Sequence, residues 1–222
     1  MNAIRLLLVL GGLCSTASWA EPLYYQVRLK DDVVATQTVE FVHAGDLTTV
    51  KTAFEAEMRV FVAVHRYSES LSATVRPDGT VVEFSARISD GPGTVEVLGS
   101  IGADGALRIV SSGIQGGSTC YVQRADYDLN SLTLYGTDPA SFVPTNSPAR
   151  VLQIAEGRVV PVNLQTISEN YTFERQNLKS THVVWSDGEH VSHSWHPDRF
   201  SNLPSRYIRQ TPRGEFIFEL QR

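Results

Sequence analysis

Apolar and polar residues alternate with a period of two along most of this chain, as in strands with one buried face and one wet face. The clearest stretch spans 82–109. Val82, Phe84, Ala86 and Ile88 point one way, and Glu83, Ser85 and Arg87 the other; Val95, Val97 and Ile101 continue, then Leu107 and Ile109. Arg76-Pro77-Asp78-Gly79, Asp90-Gly91-Pro92-Gly93 and Ala103-Asp104-Gly105 break the pattern about every dozen residues. Asp-Gly suits the positive-φ positions of tight hairpins. The spacing predicts an antiparallel meander with strands over 81–88, 94–101 and 106–110, and Gly79, Gly91 and Gly105 in its turns.

The flanks carry the same period. Tyr25, Val27 and Leu29 alternate before Asp31-Asp32, a β-branched run covers 33–42, and Val50, Phe54, Ala56 and Met58 share one side of 48–58. The run 59–67 is apolar on both faces (Val60, Val62 and Val64 against Phe61 and Ala63), which predicts a central strand covered on both sides. Towards the C-terminus, 182–185 and 189–195 flank Ser186-Asp187-Gly188, and Thr211-Pro212-Arg213-Gly214 precedes Phe216-Ile217-Phe218. Residues 124–148 are the exception. Asp126 or Asp128 can cap a short helix through Leu129, Leu132 and Tyr135, ended by Gly136, and Pro139, Pro144 and Pro148 then exclude a central strand. This stretch is either a linker or a segment covering one end of a sheet; Phe142, Val143 and Val151 favour the cover. No fixed-period repeat is present, which disfavours a propeller or solenoid.

Residues 1–20 read as an export signal. Arg5 starts it, an apolar run over 6–13 follows, and Ser18-Trp19-Ala20 supplies a small-x-small cleavage site ahead of Glu21. The run is too short to span a bilayer, which takes roughly 20 apolar residues. Cys14 follows Leu13, a bulkier neighbour than a lipidated cysteine normally has. The expected organisation is a signal peptide over 1–20 and one soluble, exported β domain over 21–222, periplasmic or secreted. The mature chain then has a formal charge of −6, without a basic cluster, which excludes nucleic acid and an anionic membrane surface as natural partners. Cys120 is its single cysteine, so no internal disulfide can form and the core must hold the fold. Between Thr119 and Tyr121 it reads as a small buried hydrophobe.

Four segments together resemble a family of exported bacterial proteins known as a domain of unknown function: Tyr24-Tyr25-Gln26-Val27, His65-Arg66-Tyr67-Ser68-Glu69-Ser70, Arg76-Pro77-Asp78-Gly79-Thr80-Val81-Val82 and Val183-Val184-Trp185-Ser186-Asp187-Gly188. The resemblance implies a strongly curved antiparallel sheet similar to the periplasmic lipoprotein carriers, and departs in the proline-rich middle. It transfers architecture alone, since no catalytic or ligand residues are established for the family.

Candidate chemistry is sparse. His182, His190, His193 and His196 cluster in sequence, but on a strand His190 and His196 share a face some 20 Å apart at ~3.3 Å per residue, with His193 opposite. A rim cluster is the reading, and no metal site. Asp126-Tyr127-Asp128-Leu129-Asn130 opens like a calcium loop, then places Ser131 at the glycine position and Thr137 at the bidentate glutamate position. Gly116-Gly117-Ser118-Thr119-Cys120 lacks the last glycine of a nucleophile elbow. No catalytic residue and no cofactor follow from these patterns. Tyr24, Tyr25, Phe61, Tyr67, Phe84, Trp185 and Trp195 fall in predicted strands, where aromatics build a core or line an apolar pocket.

The sequence thus predicts an all-β fold, one large curved antiparallel sheet or half-barrel in a meander, with 124–148 across or beside it. The leading functional expectation is a non-enzymatic binding or carrier protein for an apolar, amphipathic or lipid-like small molecule. Phe61, Phe84, Trp185 and Trp195 are its expected walls and Phe142 its lid. The alternative is an interaction or scaffold module that binds another protein of the cell envelope. An exported hydrolase or metalloenzyme ranks third.

Overall fold

A computed structural model describes residues 18–19, 21–30, 32–60, 63–113, 116–136, 148–200, 203–211 and 214–221. Among the described residues sixteen strands form one sheet. They are β1 (Ser18–Trp19), β2 (Leu23–Leu29), β3 (Asp32–Ala44), β4 (Leu47–Val60), β5 (Ala63–Val75), β6 (Val81–Asp90), β7 (Gly93–Ile101), β8 (Leu107–Ser112), β9 (Ser118–Val122), β10 (Leu129–Asn130), β11 (Ala149–Gln153), β12 (Arg158–Phe173), β13 (Gln176–Ser186), β14 (Val191–Pro197), β15 (Arg206–Thr211) and β16 (Gly214–Gln221). Fifteen lie on one hydrogen-bonded path, from β10 through β11 to β16, then β2 through β9. β1 lies off it, beside β3. Every pairing is antiparallel except the short β10–β11 contact.

The all-β expectation holds, and the meander forms as its turns dictate. Gly79, Gly91 and Gly105 all have positive φ, at 79°, 60° and 79°. Strands β6 and β7 cover the first two predicted runs, and β8 starts one residue into the third, at Leu107. Register then carries one buried face across the sheet. Val39 stands opposite Thr52, Thr52 opposite Leu71, Leu71 opposite Ala86 and Ala86 opposite Val97, and all are buried. The C-terminal strand β16 pairs with β2, bringing Phe218 opposite Val27 and Leu220 opposite Tyr25. Phe54 packs on Phe216 and Phe218 in the same core.

Among the described residues no hydrogen-bonded ladder closes the sheet, since the path ends at β9 on one side and β10 on the other. Side chains bridge the gap instead. The turn at 154–157 seats Gly157 (φ 64°) so closely that an added Cβ would lie 2.6 Å from Val97 and 2.8 Å from Ile109. Cys120 of β9 directs its thiol at the Gly157 carbonyl, 3.7 Å away. Residues 123–136 cross one end of the barrel. Arg124 donates to the Asp78 carbonyl, the Tyr127 hydroxyl accepts from the Val81 amide at 2.9 Å, and Tyr127, Leu132 and Tyr135 are buried.

Three expectations need correction. The run 59–67 is not one central strand: β4 ends at Val60, β5 starts at Ala63, and Val64 is 49% exposed. A β-branched apolar run reads alike whether it passes through a sheet or bends between two strands. The helix over 126–135 is replaced by two 3-10 turns, Arg124–Asp126 and Ser131–Leu134, with β10 between them. Asn130 caps the second, accepting the Leu132 amide at 3.0 Å. Cys120 is exposed rather than buried, because β9 is an edge strand.

Phe84 and Gly99 face one another across β6 and β7, and an added Cβ at Gly99 would fall 2.0 Å from the Phe84 ring. Phe84→Ala should cost about 3–5 kcal/mol as a cavity-forming change. Gly99→Ala should cost about 1–3 kcal/mol by overpacking. In urea unfolding the double variant should lose clearly less than the two single losses combined, because both act on one space. Additive losses would contradict this packing.

Candidate functional site

The concave face of the sheet encloses a cavity of about 530 Å³. Phe54, Leu71, Leu132, Phe216 and Phe218 give it apolar walls, and Trp185 of β13 adds a large ring. Three hairpin turns edge it, contributing Asp90, Glu156, Asp187 and His190.

Inside this apolar shell sits a polar island. Glu69, buried to 6% exposure, stands on β5 between the inward positions of Tyr67 and Leu71. Its Oε2 accepts from the Tyr67 hydroxyl at 2.8 Å and from Arg209 Nη1 at 3.4 Å. The Glu69 carboxylate raises the affinity of the Arg209 guanidinium for its proton, against the opposing effect of burial. Burial first, then the Glu69 charge, raises the Tyr67 phenol well above its ordinary range. Beside this group, Tyr135 and Tyr207 both donate to Gln37 Oε1, Tyr135 at 3.4 Å. Burial pushes Tyr135 up to about 12, so it remains a donor at any ordinary pH. Tyr25, Tyr135 and Tyr207 meet edge-on with centroids 5.9–6.3 Å apart, and Tyr207 stacks on Phe218 at 4.0 Å. These ring contacts hold the hydroxyls in fixed positions.

A second cluster lies on the convex face. His182 and Trp195 are opposite one another on β13 and β14, whereas Val183 and Ser194, next to them, are buried on the concave side. His182 Nδ1 lies 3.2 Å from Glu169 Oε1, and its Nε2 lies 3.1 Å from His193 Nδ1. Its ring stacks on Trp195 at 4.4 Å, and the indole N–H donates to the same Glu169 oxygen at 2.8 Å. Burial lowers the His182 pKa against the pull of Glu169. Among the described residues no group of three or more His, Cys, Asp or Glu side chains is placed to hold a metal ion.

The five side chains expected at a ligand site fall in different places. Trp185 lines the cavity. Phe84 is core, its ring spent over Gly99, and is not on the cavity wall. Trp195 faces outwards, because it is one residue out of phase with the inward Ser194. Phe61 and Phe142 lie outside the described residues. Of the four histidines, His196 is buried on Ser194, His190 sits in a turn at the cavity edge, and His182 and His193 meet across the ladder. The polar island is what the reading missed. Its signal is a charge at an inward position of an otherwise apolar face: Glu69 between Tyr67 and Leu71, Arg209 two residues after Tyr207.

Among solved structures, the chain is similar to a beta-barrel-like protein of the domain of unknown function DUF1849 from Brucella abortus. The match has a TM-score of 0.59 at 11% identity and covers 90% of this chain and 95% of that one. The likeness is one of fold. No family model and no curated protein matches the sequence.

His182 gives a pH signature of the convex cluster. Its pKa is lower in the folded state than the ordinary 6.5, so the unfolded chain binds the proton more readily. The neutral-ring stability is complete above that value and drains away as pH falls through the window below it. His182→Gln should flatten the loss of urea stability between about pH 7 and pH 5. An unchanged slope would show that His182 does not carry it.

Proposed function

We propose that this protein is an exported, non-enzymatic binding or carrier protein that holds an apolar or amphipathic small molecule inside its barrel. The observation that carries the reading is the cavity of about 530 Å³, bounded by aromatic and aliphatic side chains and bordered by polar turns. A volume of this size suits a small organic ligand, and mostly apolar walls with a few placed polar groups are the usual composition of such sites. The fold shared with the DUF1849 protein is compatible with this reading and assigns no ligand. Export rests on the leader-like residues 1–20; the mature protein begins at Glu21, which N-terminal sequencing of the exported form tests.

A second reading, docking of an envelope protein, draws on one observation. Tyr121 is 65% exposed on β9, whose outer edge has no ladder partner among the described residues, and Leu98, two strands in on β7, is 56% exposed. Such an edge can accept an added strand.

The two readings separate by experiment. A neutral fluorescent naphthylamine probe should gain intensity with the wild-type protein in a saturable way. Ser192→Trp places an indole into the cavity that Ser192 lines, and should reduce uptake about tenfold or more while secondary structure and the unfolding midpoint are kept. No saturable uptake by the wild type, or equal uptake by the filled variant, would discard the carrier reading.

A further inference from the structure

Resting on the carrier reading, we propose that the cavity selects an amphipath with an acidic, oxyanionic head group, and that Arg209 receives that head. Arg209 reaches the cavity from β15, and 47% of its side-chain surface is free. Arg209 shares the strand phase of the inward Tyr207 and stands opposite Ser192 and Phe216, which also line the cavity, so its free surface faces the cavity. A guanidinium carries five N–H donors in a planar fork. The described residues give this one a single acceptor, Glu69 Oε2, through one bond at 3.4 Å, at the long end of the range. Most of the fork is unspent.

The groups around it make the same demand. The Tyr67 hydroxyl donates to Glu69 and those of Tyr135 and Tyr207 donate to Gln37 Oε1, and among the described contacts none of these phenol oxygens accepts from Arg209. With both phenols on Oε1, the Gln37 amide nitrogen is a further donor without a described acceptor. What the island lacks is a described acceptor within reach of the rest of the Arg209 fork. A carboxylate or a similar oxyanion supplies two or more in the plane of the fork, and pairing with a guanidinium in a low-dielectric site is stronger than pairing with a neutral oxygen. Glu69 does not exclude such a head. It holds Arg209 aimed through their hydrogen bond, and competes with the ligand for the same cation. The apolar walls formed by Phe54, Phe216 and Phe218 then take the ligand's tail.

The test displaces the neutral naphthylamine probe with three twelve-carbon competitors at pH 7.5: dodecanoate, dodecanol and dodecylamine. Dodecanoate should displace at about a tenfold lower concentration than either of the others. Arg209→Met should keep probe uptake and dodecanol displacement while losing the preference for the acid. Glu69→Gln, which removes the competing carboxylate and keeps its shape, should strengthen dodecanoate several-fold and leave dodecanol unchanged. Equal displacement by acid and alcohol, or a preference that survives in Arg209→Met, overturns the proposal. Should Arg209→Met fail to fold, an unstrengthened dodecanoate in Glu69→Gln overturns it alone. If the wild type takes up neither probe nor any competitor, the carrier reading itself has failed, which is a different result from a cavity that binds all three alike.

Discussion

Fifteen strands joined edge to edge cannot lie flat. Each strand of L-residues twists to the right, adjacent strands rotate by roughly 20–25°, and a path this long must curl until one face becomes an interior. Here the curl brings β9 and β10 towards each other without a ladder between them. What fills the interior is therefore a matter of side-chain size rather than of backbone geometry. Near β6–β8 it is filled by Phe84 over Gly99, and by Gly157 lodged against Val97 and Ile109. Around β5, β15 and β16 the same face is left hollow.

The hollow part holds the residues that a core would not choose. An ion pair taken out of water is often no more stable than well-packed apolar side chains of the same volume. Glu69 with Arg209, and Gln37 with two tyrosines, are thus poorly explained by stability alone. They are consistent with an interior whose chemistry is meant to be met by something else. In the proposed carrier the apolar walls would take the tail and the island would orient the head.

The period-two pattern made the strands legible, and the Asp-Gly turns fixed their register, because each signal is local in sequence. The boundary between β4 and β5 was not legible, since 59–67 contains no turn-forming residue to mark the bend. Trp185 and Trp195 show the limit for the site. Both are tryptophans in strands, and only their phase relative to the buried Val183 and Ser194 sends one inward and the other outward. The pairing of Glu69 with Arg209 was out of reach for another reason. It joins β5 to β15, which come together only through the wrap of the whole sheet. Length and patterning say that a sheet curls, not which distant side chains then meet.

Almost every ladder here joins strands that follow one another in the chain; the pairing of β16 with β2 does not. The two runs β2–β9 and β10–β16 are local meanders, whose hairpins can zip early because little chain must be looped to form them. Between them runs this one ladder, and half of it is made by β16, far along the chain from β2. Tyr25, Val27 and their neighbours in β2 thus keep one edge unpaired until β16 has been made. Completion of the barrel waits on the final eight-residue strand, so the order of events in folding is set by the position of a single strand. A chain clipped just before Gly214 would lose far more than its tail, because it would keep two meanders with side-chain contacts such as Arg209–Glu69 but no backbone ladder between them.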